Sequence, residues 1–211
     1  MNDIEWSVLE LPNLPIYRTK LTKKITKLLW KKIDIAKVQR KNMSDALAGN
    51  ISLSLALEED VTFSSTVLYP ICKHIIDSNI DTLGPELHPS APDVSLDIEW
   101  WVNFQKQLEF NPQHNHAGIL SFVIWMQIPT DWREQHTIPS AKVSNSPAAS
   151  DFQFTYTDIV GNIKAHPIYM DKSMEGTMIV FPAHLSHSVY PFYDCDEERI
   201  SIAGNVHWNI S

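Results

Sequence analysis

Residues 111–130 read NPQHNHAGILSFVIWMQIPT, two histidines in a polar stretch that gives way to a continuous apolar run. An uninterrupted run of this length, bounded by turn-forming residues, suits a strand buried on both faces. In an extended chain, residues i and i+2 project to the same side. His114 and His116 should therefore share a face, with Asn115 turned away. The stretch predicts a core strand with two imidazoles at its mouth.

The flanking sequence has the same texture. VSLDIEWWVNFQKQ (94–107) alternates, and FQFTYTDIVGNIKAHPIYM (152–170) reads as a hairpin turning at Val160-Gly161-Asn162. TMIVFP, HSVYPF and RISIAGNVHWNI complete a series of short strands without intervening helices. That series predicts an antiparallel sandwich or jelly roll rather than a parallel sheet. PSAKVSNSPAAS (139–150) is expected to be a mobile loop between strands.

The first half differs. IEWSVLEL (4–11) suits an edge strand, followed by the turn LPNLP. Leu21, Ile25, Leu28 and Leu29 recur at helical spacing inside a basic segment, residues 18–41. MSDALAGNISLSLAL (43–57) reads as a loop broken at Gly49-Asn50, and TVLYPICKHIIDSN (66–79) as a second helix. LGPELHPSAPD (83–93) is rich in proline and marks the passage to strands. The expected organisation is one domain over 1–211, with 1–93 as a helical and loop support and 94–211 as the jelly-roll core.

Composition narrows the function classes. The 211 residues are 44% hydrophobic and 20% charged, as in a globular protein, and no stretch is long and apolar enough to span a membrane. The start MNDIEWSVLELP lacks the basic and apolar regions of a secretory signal. Cys72 and Cys195 are too few for a disulfide scaffold or a thiolate metal site, so a reducing, cytoplasmic setting is expected. Residues 18–41 hold ten of the seventeen Lys and Arg and one acid, Asp34, a net +9 that leaves −17 for the rest of a chain whose total is −8. The favoured reading is an amphipathic helix docked on an acidic body; contact with nucleic acid or another polyanion is the second.

A third metal ligand must come from elsewhere, and FPAHLSHSVYP (181–191) offers His184 and His187. His187 leads into an apolar strand that could hold it opposite the first pair. Three imidazoles with positions left open suit a catalytic rather than a closed structural centre. Arg199 lies on the next strand with Ser201 on the same face, a fork beside a hydroxyl that suits bidentate capture of a carboxylate. Against this stands a rim arginine paired with Glu197 or Glu198. His74, His88, His136, His166 and His207 read as surface or satisfied core residues.

Taken in order, WWVN (100–103), HNH (114–116) with LSFVIW after it, EGTMIVFP (175–182), LSHSVYP (185–191) and RISI (199–202) resemble the 2-oxoglutarate and Fe(II)-dependent oxygenases. The match is nearest to a branch common in marine phages and bacteria, and LAGNI (47–51) resembles a further element of its phage-type members. The resemblance implies a double-stranded β-helix with helices packed on one face. It implies oxidation of a substrate C–H bond coupled to conversion of 2-oxoglutarate and O2 to succinate and CO2. His114 and His116 fall on the H-x-D/E dyad and His187 on the distal histidine, as both metal ligands and catalytic residues. Arg199 and Ser201 fall on the R-x-S that grips 2-oxoglutarate, with Asn103 as a further co-substrate contact and His184 behind the ligands. Trp101, Phe122, Trp125 and Phe181 would form a dry cup, and a phage-encoded chain would act in the host cytoplasm.

One departure stands out: His116 occupies the place where the family carries a carboxylate. Either the centre has three histidines, or one of the pair is not a ligand and Asn115 or another acid completes the shell. Two readings compete with the oxygenase. One is a zinc-dependent lyase or hydrolase using the same H-x-H and distal histidine; the other is a cupin-like, non-enzymatic viral module. The substrate stays open among protein side chain, nucleotide and small molecule. The loops at 80–93 and 130–150 that would select it carry no motif, and homo-oligomerisation is equally open.

Overall fold

Alternating residues in two twelve-residue strands, β3 (Val94–Gln105) and β10 (Arg199–Ile210), give the fold its longest pair. A computed structural model describes residues 15–79 and 94–210. The strand expected at 4–11 and the proline-rich passage 83–93 lie outside them. The remaining strands are β1 (Tyr17–Lys20), β2 (Ser54–Ala56), β4 (Asn111–His114), β5 (Leu120–Gln127), β6 (Phe152–Thr157), β7 (Ile163–Ile168), β8 (Thr177–Pro182) and β9 (His187–Val189). They form a six-stranded antiparallel sheet, β1-β8-β5-β10-β3-β2, facing a four-stranded one, β4-β9-β6-β7. This is the expected jelly roll, with β6 and β7 turning at residues 158–162.

Strand parity sorts the core into two layers. Trp100, Val102 and Phe104 of β3 and Leu120, Ile124 and Met126 of β5 face the helices. Val123 and Trp125 point the other way, into a cluster with Phe152, Phe154, Ile179 and Phe181 between the sheets. Period-two alternation thus gives each strand of the large sheet one side for each layer.

The helices cover the outer face of the large sheet. α1 (Lys23–Gln39) is capped by the Thr22 hydroxyl and buries Leu29, Ile33 and Ala36 at helical spacing. Its docking is apolar: Lys32 pairs with Asp60 at 3.4 Å, whereas Lys23, Lys24, Lys27 and Lys31 are exposed. The segment taken as one helix from residue 18 is divided, because Arg18–Lys20 extend as β1 beside β8. The second helix begins earlier than expected, as α2 (Val61–Phe63), a π turn (Ser64–Leu68) and α3 (Tyr69–Ser78). The loop expected at 43–57 contains β2, paired with β3.

Gly204, mid-strand in β10, has a packing reason. A Cβ there would lie 2.7 Å from both the Glu99 carbonyl oxygen and the Phe122 ring. Both neighbours are held in the sheet, so Gly204→Ala is expected to destabilise by about 1–3 kcal/mol. Urea denaturation checks this, with the loss appearing as a lower midpoint.

Candidate metal and carboxylate site

His114 and His187 are direct cross-strand partners, the last residue of β4 opposite the first of β9. Pairing fixes their backbones close together, and the rings lie 4.2 Å apart between centroids. His116 arrives differently. β4 ends at His114 with an irregular register behind it, so the extended strand expected through residue 116 stops short. His116 sits in the connection to β5, where its N–H donates to the Ala183 carbonyl, and its ring is 4.8 Å from that of His114 and 5.1 Å from that of His187. Asn115 is exposed.

One nitrogen from each of the three rings lies within 4.8 Å of the other two, and no carboxylate joins them among the described residues. Two tautomers are set by backbone carbonyls, which can only accept. His114 Nδ1–H donates to Pro112 at 2.7 Å and His187 Nδ1–H to Leu185 at 2.9 Å. Each therefore keeps an Nε2 lone pair, the arrangement that orients a metal-binding histidine. Burial pushes the His187 pKa down to about 3 and that of His116 to about 4, with neighbouring imidazoles adding to the effect; His114 is lowered too, mainly by burial. All three are neutral at physiological pH, as ligation requires. Three neutral imidazoles gathered in this way are a donor set that fits a divalent metal. The Asn111 amide nitrogen, 3.3 Å from His114 Nε2, is the contact such an ion would displace.

The histidines line a cavity between the sheets. Its walls include Trp101, Trp125 and Phe181, as the cup predicts, and Leu47, Ala48, Gly49 and Ile51 from the LAGNI segment. Phe122 differs in part: it packs with Phe63 in the helix-facing layer and reaches the cavity beside Gly204. His184 is exposed on the β8–β9 turn, away from the role expected behind the ligands.

Arg199 opens β10 and lines the same cavity, yet it is only 2% exposed. A bulge in the β5 pairing falls just after it, between Ile200 and Ser201. Its guanidinium packs over Phe192 and donates from Nη2 to the Ser150 carbonyl (2.8 Å) and hydroxyl (2.6 Å). Nε and Nη1 are buried, with no partner among the described residues. Two orphaned donors on one guanidinium are costly in a protein interior and leave it able to take up an anionic acceptor such as a carboxylate. Neither Glu197 nor Glu198 pairs with it, against the rim reading. Ser201 and Asn103 are register neighbours across β10 and β3, and both line the cavity; Asn103 Oδ1 accepts from Ser54 at 2.7 Å.

The residues that sequence reasoning missed sit behind Arg199. The segment expected to be mobile ends in a buried turn, where Ser150 adopts φ 74° and Asp151 is fully buried. Asp151 Oδ2 lies 3.0 Å from His136 Nε2, so His136 is a satisfied core histidine, and Asp151 Oδ1 has no partner. The only hint in the sequence is the acid at the end of a small polar loop.

The model of a family described as "Putative 2OG-Fe(II) oxygenase" matches residues 99–205, which contain every residue of this site except Ser54 and the LAGNI segment. The chain matches none of the curated proteins. Among solved structures it is similar to a prolyl-4-hydroxylase from Pseudomonas putida, at TM-score 0.50 and 15% identity over 92% of this chain and 90% of that one. It is also similar to an oxidoreductase of the 2OG-Fe(II) oxygenase family from Burkholderia pseudomallei, at TM-score 0.37 and 15% identity over 54% and 44%. The first likeness supports the fold.

Proposed function

We propose that this chain, which belongs to the 2OG-Fe(II) oxygenase family, binds Fe(II) through His114, His116 and His187 and 2-oxoglutarate through Arg199, and hydroxylates a substrate. Bound together, Fe(II) and 2-oxoglutarate supply O2 activation and substrate C–H oxidation, with release of succinate and CO2. One juxtaposition carries the reading: three neutral imidazoles and a buried guanidinium with two unpartnered donors line one cavity. A zinc hydrolase would need the imidazoles but no 2-oxoglutarate anchor.

The residues have separable tasks. The backbone carbonyls of Pro112 and Leu185 hold two Nδ1 protons, keeping Nε2 free for metal. Arg199 binds the far carboxylate, Ser201 supplies a hydroxyl beside it, and Asn103, fixed by Ser54, lies next in the row. Trp101, Trp125 and Phe181 exclude water, which strengthens each polar contact inside.

Metal analysis of protein purified without oxygen, with an assay of 2-oxoglutarate decarboxylation, tests the reading. Stoichiometric iron and turnover are expected; stoichiometric zinc without turnover would overturn it. His116 provides a separate check. His116→Leu removes the ligand at similar bulk and is expected to lower Fe(II) affinity at least about tenfold, whereas His116→Asp should keep binding. Equal iron affinity for wild type and His116→Leu would exclude a three-histidine centre.

A further inference from the structure

Arg199 is a buried cation whose direct partners are neutral: both Nη2 acceptors belong to Ser150, and its aromatic neighbour is Phe192. A charge in that position needs a counter-charge nearby. The buried carboxylate that acts on it is Asp151, the residue after Ser150, fully buried and not within 4 Å of the guanidinium. Asp151 is held at one oxygen by His136, while its other oxygen is unpartnered. Its main chain is fixed as well, with the N–H donating to Ala148 and the carbonyl accepting from Tyr190.

We propose that Asp151 is the resting counter-charge of Arg199, neutralising the guanidinium while the anchor is empty and opposing the carboxylate that later binds there. The proposal rests on the reading of Arg199 as the 2-oxoglutarate anchor. Asp151 is thus a positioning residue that sets how tightly the anchor holds its ligand. An empty site contains one cation and one anion. An incoming carboxylate makes that one cation and two anions in a poorly solvated space, and the excess charge is relieved by a proton.

Asp151 is placed to accept that proton. Burial pushes its carboxyl up to about 6, against the opposing pull of His136 and Arg199. The titratable and charged groups facing it are the imidazole of His136, at the end of the short helix α4 (Trp132–Gln135), and the guanidinium of Arg199 on β10. A carboxylate that cancels the charge of Arg199 removes one of these two pulls, so the affinity of Asp151 for a proton rises on binding. Proton uptake on binding means that 2-oxoglutarate binds more tightly as pH falls from 8 towards 6.

Calorimetry of 2-oxoglutarate with Mn(II)-loaded protein tests this on wild type, Asp151→Asn and Arg199→Ala. Asp151→Asn keeps a hydrogen-bonding partner for His136 but removes the charge. It is expected to bind 2-oxoglutarate about five- to tenfold more tightly than wild type at pH 8, with the advantage shrinking at pH 6. Its ligand-free melting temperature should fall while the upshift given by 2-oxoglutarate grows. A merely structural role would not give these opposite signs. Equal or weaker binding by Asp151→Asn, with Arg199→Ala still impaired, would overturn the counter-charge and leave the anchor standing. Unimpaired binding by Arg199→Ala would remove the anchor itself. Titration of wild type in two buffers of different ionisation enthalpy gives an independent readout should the Asn variant fail to fold. A net uptake of protons is expected, and identical heats would overturn the proposal.

Discussion

Loaded with Fe(II) under anaerobic conditions, His187→Ala protein is expected to retain no stoichiometric metal, an affinity loss of at least about 100-fold. His187 is the most confined of the three imidazoles, only 4% exposed. Its ring stacks on Phe152 at 5.5 Å and meets Phe181 at 4.9 Å, while Leu185 fixes its proton. The truncated side chain cannot be replaced by a neighbour, because the described residues bring no other imidazole or carboxylate to the trio. The two remaining ligands would hold an ion from one side only. Elemental analysis decides the matter, with His74→Ala and His166→Ala as variants that should load normally. Full iron occupancy in His187→Ala would remove the metal assignment.

The second large effect is expected at Arg199. Arg199→Ala should weaken 2-oxoglutarate by about 2–4 kcal/mol, roughly 30- to 1000-fold, with iron stoichiometry unchanged. The size follows from the setting: the contact is charge-assisted and almost wholly removed from water. Burial lowers the guanidinium pKa only to about 10, so it stays charged across the working range. Arg199→Lys should recover only part of the loss, since an ammonium is a point charge without the fork and cannot reproduce both donors. Calorimetry on metal-loaded protein separates this from a folding defect, because iron content reports the latter. An unchanged dissociation constant for Arg199→Ala would remove the co-substrate argument and bring back zinc.

How much of this was legible in the sequence depended on how local the physics was. Alternation in β3 and β10 and the apolar run of β5 are local, and they led to the jelly roll. The convergence of His114, His116 and His187 was also legible, although for His116 the route was wrong. A strand was expected to carry it, whereas a connection held by the Ala183 carbonyl does. The strand β2 was missed although ISLSLAL (51–57) alternates, because Gly49-Asn50 drew attention as a breaker. Arg18–Lys20 were absorbed into the helix because their charges continue its basic pattern, and only pairing with β8 separates them. Ser150 and Asp151 were legible only as an acid at the end of a polar loop. Their burial depends on Arg199 and His136, 49 and 15 residues distant, and a run of Ser, Ala and Pro before them looks like any solvated loop.

The placement of the two anchors has a mechanical consequence. His114 and His187 belong to strands of the four-stranded sheet, whereas Arg199 belongs to the six-stranded one. A diacid joined to metal at one end and to the guanidinium at the other would act as a cross-brace between the leaves of the sandwich. The leaves would in turn serve as a spacing gauge. A chain one carbon too short would leave one end slack, and one too long would have to spread two packed walls of aromatic residues. Length discrimination would then come from the rigidity of the scaffold rather than from any single side chain. Filling the brace should slow amide exchange in β4 and β9 on the small sheet and at the start of β10 on the large one, while α1, on the far side of the large sheet, exchanges as before.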